Sequence, residues 1–162
     1  RSRFLSVRIE VSSMAEVSES IWIDRPVEDV FAYLDDPHNH SLITPSITDI
    51  RNIERLDNGG KRLEHTYEMV GVGIDGELVE QVHEEDERMV FEMHGLLTGE
   101  IAFDFEERDG GTEVTYSAAY DIPGRVLSKA AAPLVERYNE RELRTTLENL
   151  GTVLESEEQT TP

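Results

Sequence analysis

The sequence predicts an α+β fold in which one antiparallel β-sheet is joined to a long C-terminal helix. Three observations support this class: a helical pattern directly after the first strand, a period-two alternation through the middle of the chain, and a leucine-rich helical segment near its end. The 162 residues suit one domain with a substantial core, and there is no cysteine. Disulfides and thiolate chemistry are therefore excluded.

Two short helices are predicted between the first two strands. The first strand spans Val17–Ile23, and a helix begins at about Pro26, because proline suits a first helical turn and Asp24 is placed to cap free amides. Its apolar residues share one face: Val27, Val30, Phe31 and Leu34. Pro37 ends this helix, a second short helix or turn follows, and Pro45 leads into extended chain.

The remaining strands are predicted from alternation. Ile47–Arg55 is the second strand, and a less regular one lies between Glu77 and His83. Four more present apolar faces made of Leu63, His65, Tyr67 and Met69; Met89, Phe91 and Met93; Ile101, Phe103 and Phe105; and Val114, Tyr116, Ala118 and Tyr120. Turns are predicted at Asn58–Gly60, Gly71–Gly76, Glu84–Glu87, Leu97–Gly99 and Asp109–Gly111. Such short connections join antiparallel neighbours, which gives a sheet of seven strands.

The C-terminal helix is predicted from about Gly124 to Leu154. Two apolar stripes that do not align run along it: Leu127, Ala131, Leu134 and Tyr138, then Leu143, Leu147, Leu150 and Leu154. Pro133 is expected to bend or restart the helix. We expect the first stripe to face a cavity and the second to pack on the sheet.

Composition predicts the domain boundaries. Residues 1–13 have a net charge of +2, which leaves −22 for the rest of a chain whose total is −20. Met14 resembles a natural start, so residues 1–13 are interpreted as an N-terminal extension or a vector-encoded segment. Residues 14–155 are predicted to form a single ligand-binding domain, and residues 156–162 a polar, frayed tail.

The charge restricts the partners. There are 35 acidic and 15 basic residues, and the lysines are Lys61 and Lys129. So negative a surface repels phosphates, which makes nucleic acid an unexpected partner. No apolar run approaches the roughly 20 residues needed to span a bilayer. We expect a cytoplasmic protein without integral membrane association, and the acidic, lysine-poor composition is typical of a halophile, in which salt screens the repulsion.

The order of elements resembles the START-like, helix-grip (SRPBCC, or Bet v 1-like) superfamily, which includes polyketide cyclases/dehydrases, coenzyme Q-binding proteins and plant pollen allergens. The residues that carry the resemblance are Ile21–Pro26, Val30, Phe31, Leu34, Asp36, Pro37, Pro45 and the terminal leucines. One departure is the Ile43-Thr44 pair, where many members have a tryptophan. The resemblance implies a curved seven-stranded sheet wrapped around the long helix, with a hydrophobic cavity between them.

The predicted cavity residues come from the inward faces of the strands and helix. Methionine and aromatic side chains there suit an irregular apolar ligand, although simple core packing would require similar residues. The candidate ligand-binding residues are His65, Tyr67, Met69, Met89, Phe91, Met93, Ile101, Phe103, Phe105, Tyr116, Tyr120, Leu127, Ala131, Leu134 and Tyr138.

Three functions are considered. The favoured one is a carrier or sensor of a hydrophobic molecule such as a lipid, a quinone or a polyketide-like compound. The second is a cyclase or dehydratase, in which His65 removes a proton next to a carbonyl and a tyrosine such as Tyr67 stabilises the enolate. The third is a co-chaperone-like module that binds proteins through Trp22 on the outer face of the first strand.

No cofactor or metal is predicted, and the protein is expected to be a monomer or a homodimer. Gly71–Gly76 matches a dinucleotide-binding pattern, but a strand rather than a helix follows it. Asp35–His40 has the residue types of a metal site, yet its two histidines, two residues apart on a helix, would diverge.

Overall fold

The computed structural model describes residues 12–69, 71–123 and 132–160, and it has the predicted α+β architecture. The described strands are β1 (Ser12–Ile23), β2 (Ile47–Arg55), β3 (Lys61–Met69), β4 (Val72–Glu84), β5 (Arg88–Gly95), β6 (Thr98–Arg108) and β7 (Gly111–Pro123). The described helices are α1 (Val27–Leu34), α2 (Pro37–Ile43) and α3 (Ala132–Thr160). The two short helices lie between the first two strands, as predicted.

The strands form one curved antiparallel sheet in the order β1-β7-β6-β5-β4-β3-β2. Strands next to each other in the chain are also neighbours in the sheet, except that β1 pairs with β7. The chain therefore passes from one edge of the sheet to the other between β1 and β2. Helices α1 and α2 make this crossing, α1 against β6 and β7 and α2 against β2 and α3.

The predicted cap of the first helix is wrong. Pro26, with an extended backbone, takes the N-cap position of α1, so Asp24 lies too far upstream to cap it. The backbone amide of Asp24 instead donates to the Glu155 carboxylate at 3.0 Å, which ties the start of α1 to α3. A capping carboxylate is found at α2, where Asp36 accepts from the backbone amide of His38 at 3.1 Å.

The predicted turn at Gly71–Gly76 is wrong over most of its length. Strand β4 begins at Val72, and Gly71, with φ of +81°, is the described turn residue. Gly76 lies within the strand opposite His65 of β3, and a Cβ at Gly76 would be 3.2 Å from the His65 Cε1 atom. This glycine therefore provides room for a buried ring rather than reversing the chain.

Strand β1 begins earlier than predicted. It starts at Ser12, which pairs with Pro123 of β7, and the pairing continues without a shift to Ile23. Residues 12 and 13, assigned from composition to an extension, therefore belong to the sheet. Residues 1–11 lie outside the described residues.

Helix α3 packs its second leucine stripe on the sheet, as predicted. Leu147, Leu150 and Leu154 are buried in a cluster that also contains Ile23, and Gly151 lies against Ile21 and Ile23. The helix continues to Thr160, beyond the predicted end at Leu154, since the glutamates there are good helix formers. Pro133 lies in its first described turn, where proline is tolerated. No helix in the described part of the chain is long and apolar enough to cross a membrane.

Two clusters of buried side chains form the core. The first joins α1, α2 and the second half of α3 to the inner face of the sheet, and it contains Phe31, Leu34, Met89, Phe105 and Leu150. The second lies around Leu143 of α3 and contains Val17, Ile74, Leu97, Ala118 and Tyr120. Partly buried Ile101 and Tyr116 contact both clusters, so a cavity at this boundary is lined by the two together.

Candidate ligand-binding cavity

A cavity lies between the inner face of the sheet and the helices. It contains about 1070 Å³ of empty space, including the solvent at its mouth. Every strand from β2 to β7 contributes to its wall, as do all three helices. Most of the wall is apolar, which favours an apolar guest oriented by a few polar groups.

Eight of the predicted ligand-binding residues line this cavity: His65, Tyr67, Phe91, Met93, Ile101, Phe103, Tyr116 and Tyr120. They come from β3, β5, β6 and β7, and they lie on the faces that the alternation assigned to the interior.

Three other predicted residues lie elsewhere. Met89 and Phe105 are buried in the first core cluster, outside the cavity lining. The Tyr138 hydroxyl is 2.7 Å from Ser46 Oγ and donates to the Glu68 carbonyl at 3.0 Å, so this side chain joins α3 to the ends of β2 and β3. Leu127 and Ala131 lie outside the described residues, as do the side chains of Met69 and Leu134.

Sequence reasoning missed part of the lining, above all the polar residues at its ends. Missed lining residues are Leu34, Asp35, Pro37, His40, Thr44, Ile47, Ile50, Lys61, Leu63, Leu78, Glu80, Leu97, Ala118, Asn139 and Leu143. Leu63 and Ala118 stood on predicted inward faces and could have been found from that signal. Asn139 and Glu80 gave no such signal in the sequence, since polar residues in a helix or an irregular strand are usually exposed.

Aromatic rings form the middle of the wall. Phe103 of β6 stacks on Tyr116 of β7, with ring centroids 4.3 Å apart, and it meets the His40 ring edge-on at 5.6 Å. The His40 Nε2 atom lies 2.8 Å from the Leu34 carbonyl at the end of α1. This contact holds the His40 ring of α2 against the sheet, so that one side of the cavity is flat and aromatic.

His65 is held in one orientation on β3. Its Nδ1 atom lies 3.2 Å from the Gly76 carbonyl, so the donor hydrogen is assigned to Nδ1 and Nε2 remains an acceptor. Burial lowers the pKa of His65 and outweighs the raising effect of the hydrogen bond to the Gly76 carbonyl; Arg51 lowers the pKa further and Asp75 raises it, both by less. The ring is therefore neutral near pH 7, the form required of a base.

Tyrosines cluster at one end of the cavity. Tyr67 on β3 and Tyr116 and Tyr120 on β7 line it, and burial raises the pKa of all three phenols. The Glu142 carboxylate raises the pKa of Tyr67 and Tyr116 further. These hydroxyls therefore remain protonated and can act as donors.

Charged residues lie at the other end. Lys61 Nζ is 3.0 Å from Asp35 Oδ1, and the Lys61 amide donates to Glu80 at 3.0 Å. The Glu80 side chain is 2% exposed, and its second oxygen is 2.8 Å from His83 Nδ1. Burial raises the pKa of Glu80, although the hydrogen bond from His83 opposes it. Asp35, Glu80 and His83 place three potential metal ligands within 4.8 Å, but the Lys61 ammonium already neutralises the outermost carboxylate.

Lys61 begins strand β3 and Tyr67 lies near its end, on the same face. The two residues therefore mark opposite ends of the cavity. Residues Lys61, Leu63, His65 and Tyr67 alternate along β3 and all line the cavity. Six residues of antiparallel strand span about 20 Å. The cavity thus has a charged end, a histidine near its middle and a neutral, donor-rich end.

A protein family described as polyketide cyclase / dehydrase and lipid transport matches residues 14–155. The chain belongs to this family. That description includes both enzymes and transport proteins, so membership gives the polyketide cyclase-like, helix-grip fold without choosing between them. No curated protein matches the chain.

Solved structures of other proteins share the fold of this family member. TTHA0849 from Thermus thermophilus is 16% identical, with a TM-score of 0.75 over 85% of this chain and 94% of that one. A START superfamily protein from Mycobacterium smegmatis is 14% identical, with a TM-score of 0.72 over 87% and 97%. The Zhui aromatase/cyclase from Streptomyces sp. R1128 is 12% identical, with a TM-score of 0.72 over 88% and 94%. At such identities the likeness extends to the fold alone.

Trp22 packs against another part of the same chain. Its side chain is 42% exposed, on the outer face of β1 as predicted. The indole Nε1 donates to the Arg108 carbonyl at 2.8 Å, and a Cβ at Gly111 would lie 2.6 Å from the ring. The indole therefore covers the β6–β7 turn, which explains its position without a protein partner.

Proposed function

We propose that the protein binds a hydrophobic small molecule, such as a lipid, a quinone or a polyketide-like compound, as a carrier or sensor. The observation that supports this proposal is the cavity between sheet and helices, with an apolar wall and polar groups confined mainly to its two ends. Filling it would remove apolar surface from water, which is worth roughly 25 cal/mol per Å². A family that includes lipid transport proteins agrees with this role.

The proposal is tested with ligand that copurifies and with a neutral probe. Organic extracts of protein purified natively in high potassium chloride are examined by mass spectrometry for a stoichiometric apolar compound. In parallel, the protein is titrated with N-phenyl-1-naphthylamine, whose fluorescence rises in apolar surroundings and which carries no charge to be repelled by the acidic surface.

Phe91→Leu is expected to weaken binding of this probe roughly two- to tenfold, because it removes an aromatic face of the wall at a small volume change. Trp22→Ala, outside the cavity, should leave the affinity unchanged. Equal affinity in the wild type and in Phe91→Leu, together with an empty extract, would contradict a central binding cavity.

A second candidate function is a cyclase or dehydratase. It is favoured by the orientation of His65, whose neutral Nε2 acceptor lies in the cavity wall two residues from the protonated Tyr67 hydroxyl. His65 would remove a proton next to a ketone, and Tyr67 would donate to the developing enolate oxygen.

His65→Gln tests the enzyme candidate, because glutamine can still donate to the Gly76 carbonyl but cannot accept the proton. With a synthetic poly-β-ketone as substrate, we expect the rate to fall about a hundredfold to ten-thousandfold. Cyclisation is followed by the ultraviolet absorbance of the aromatic product. Turnover retained in His65→Gln would rule out His65 as the base. No turnover by the wild type would count against catalysis and leave ligand binding as the function.

A further inference from the structure

One buried polar group in the cavity wall has no hydrogen-bond partner within the described residues. Asn139, in the first half of α3, is 2% exposed and lines the cavity. Its Nδ2 atom has no hydrogen-bond partner in the described part of the chain. Leaving such a donor unpaired costs about 1 to 3 kcal/mol, so native proteins rarely keep one without a reason.

The surroundings of Asn139 show what kind of atom would satisfy it. Next to Asn139 stands Tyr120 of β7, whose pKa is raised mainly by burial and lowered by the Asn139 amide, as expected for a donor directed toward the phenol oxygen. Their contact nevertheless falls outside hydrogen-bond geometry. Tyr67 and Tyr116 add hydroxyls nearby, so this end of the cavity offers an excess of donors.

The charge of the missing partner can be inferred as well. An anionic oxygen would face the Glu142 carboxylate, which already raises the pKa of Tyr67 and Tyr116, in a protein of net charge −20. A cation would meet donors rather than acceptors. A neutral oxygen acceptor avoids both penalties.

We propose that Asn139 and Tyr120 form a subsite that binds a neutral ketone oxygen of the ligand, at the end of the cavity opposite Lys61. This inference rests on the proposed ligand-binding function and restricts its ligand class to apolar ketones. The amide of Asn139 on α3 and the neighbouring hydroxyl of Tyr120 on β7 donate to the same oxygen. The apolar body of the ligand then extends along β3 toward His65.

Three naphthalenes of similar shape test the subsite by displacing N-phenyl-1-naphthylamine from the full-length protein. They are 2-acetylnaphthalene, 2-isopropenylnaphthalene, in which a methylene replaces the ketone oxygen, and 2-naphthoate. The wild type should bind the ketone more tightly than the alkene after correction for their partition into octanol, and the naphthoate least.

Asn139→Leu should weaken binding of the ketone about three- to tenfold and leave that of the alkene unchanged or tighter. Since the amide nitrogen makes no hydrogen bond in the free protein, the variant should melt no lower than the wild type. Asn149→Leu is the matched control, because Asn149 lies on the same helix outside the cavity and donates to the Ile43 carbonyl. It should lower the melting temperature and keep the ketone preference.

A spectroscopic measurement separates a direct contact from an indirect effect on packing. The carbonyl stretch of ¹³C-labelled 2-acetylnaphthalene should shift to lower frequency in the wild type, and this shift should be smaller in Asn139→Leu. If ketone and alkene bind equally, or if the shift is the same in both proteins, the subsite is refuted while the binding cavity stands. If the probe binds but none of the naphthalenes displaces it, the subsite alone is refuted. If the protein binds neither the probe nor any of the naphthalenes, the subsite and the proposed function are both refuted.

Discussion

Two histidines in the cavity wall, the buried His65 and the half-buried His40, are held in their neutral form. His40 lies against the Leu34 carbonyl and His65 against the Gly76 carbonyl, and burial is the main reason why both pKa values lie below the usual 6.5. Asp35 and Asp36 raise the pKa of His40 in part, and Asp75 does so for His65. In each histidine, burial lowers the pKa by more than the nearby carboxylates raise it.

These histidines should make the protein less stable in mild acid. The unfolded chain takes up protons near pH 6.5 while the folded protein resists them, so their contribution is complete above pH 6.5 and is lost as the pH falls below it. Each can contribute at most about 1.4 kcal/mol per pH unit. Urea denaturation of the wild type between pH 7.5 and 5 should show this fall in the free energy of unfolding.

The double variant His40→Gln/His65→Gln is the control for that fall. Glutamine keeps a donor for each carbonyl but does not titrate, so the pH dependence should become flatter. Glu80 cannot produce the same trend, because its raised pKa makes the folded protein bind the proton more tightly, and its contribution declines as the pH rises above 4.5. An equally steep dependence in the double variant would assign the acid sensitivity to other groups.

At the scale of elements, the sequence predicted the fold because each strand has one apolar and one polar face. The alternation in β3, β5, β6 and β7 placed eight of the candidate residues on faces that line the cavity. The prediction failed at β4, where Gly73 and Gly76 resembled a turn but lie in a strand. A glycine's role depends on the side chain opposite, and the ring of His65 is eleven residues away in the chain.

The polar ends of the cavity were harder to predict, because they join elements that are distant in the chain. Lys61 meets Asp35 from the loop after α1, and Asn139 of α3 faces Tyr120 of β7. Neither pair has a characteristic spacing. By contrast, the sequence of β3 alone identifies His65 and Tyr67 as inward-facing, since apolar and polar residues alternate along this strand.

The whole molecule has a net charge of −20, and four of its acidic residues follow one another at Glu84–Glu87 between β4 and β5. Repulsion among these charges opposes folding at low ionic strength. The screening length falls from about 10 Å at 0.1 M salt to about 3 Å at 1 M. The halophilic origin inferred from composition therefore remains a proposal that salt dependence can examine.

Raising potassium chloride from 0.1 to 2 M should increase the melting temperature, because screening relieves the repulsion. The variant Glu84→Gln/Glu85→Gln/Glu87→Gln removes three charges from an exposed turn, so its increase should be smaller and its melting temperature in 0.1 M salt higher. Scanning calorimetry measures both. A melting temperature that is flat in salt for the wild type would contradict the adaptation to salt.

Among the described strands, β2 forms one edge of the sheet, and its pairing with β3 is interrupted twice, between Ile47 and Asp49 and between Arg51 and Glu54. Asn52 has a left-handed backbone with φ of +54°. A strand with such irregularities and charged side chains is a poor template for another chain to add to. The edge that an open sheet must leave unpaired is thus protected against amyloid-like association, which matters for a protein whose cavity keeps apolar surface close to solvent.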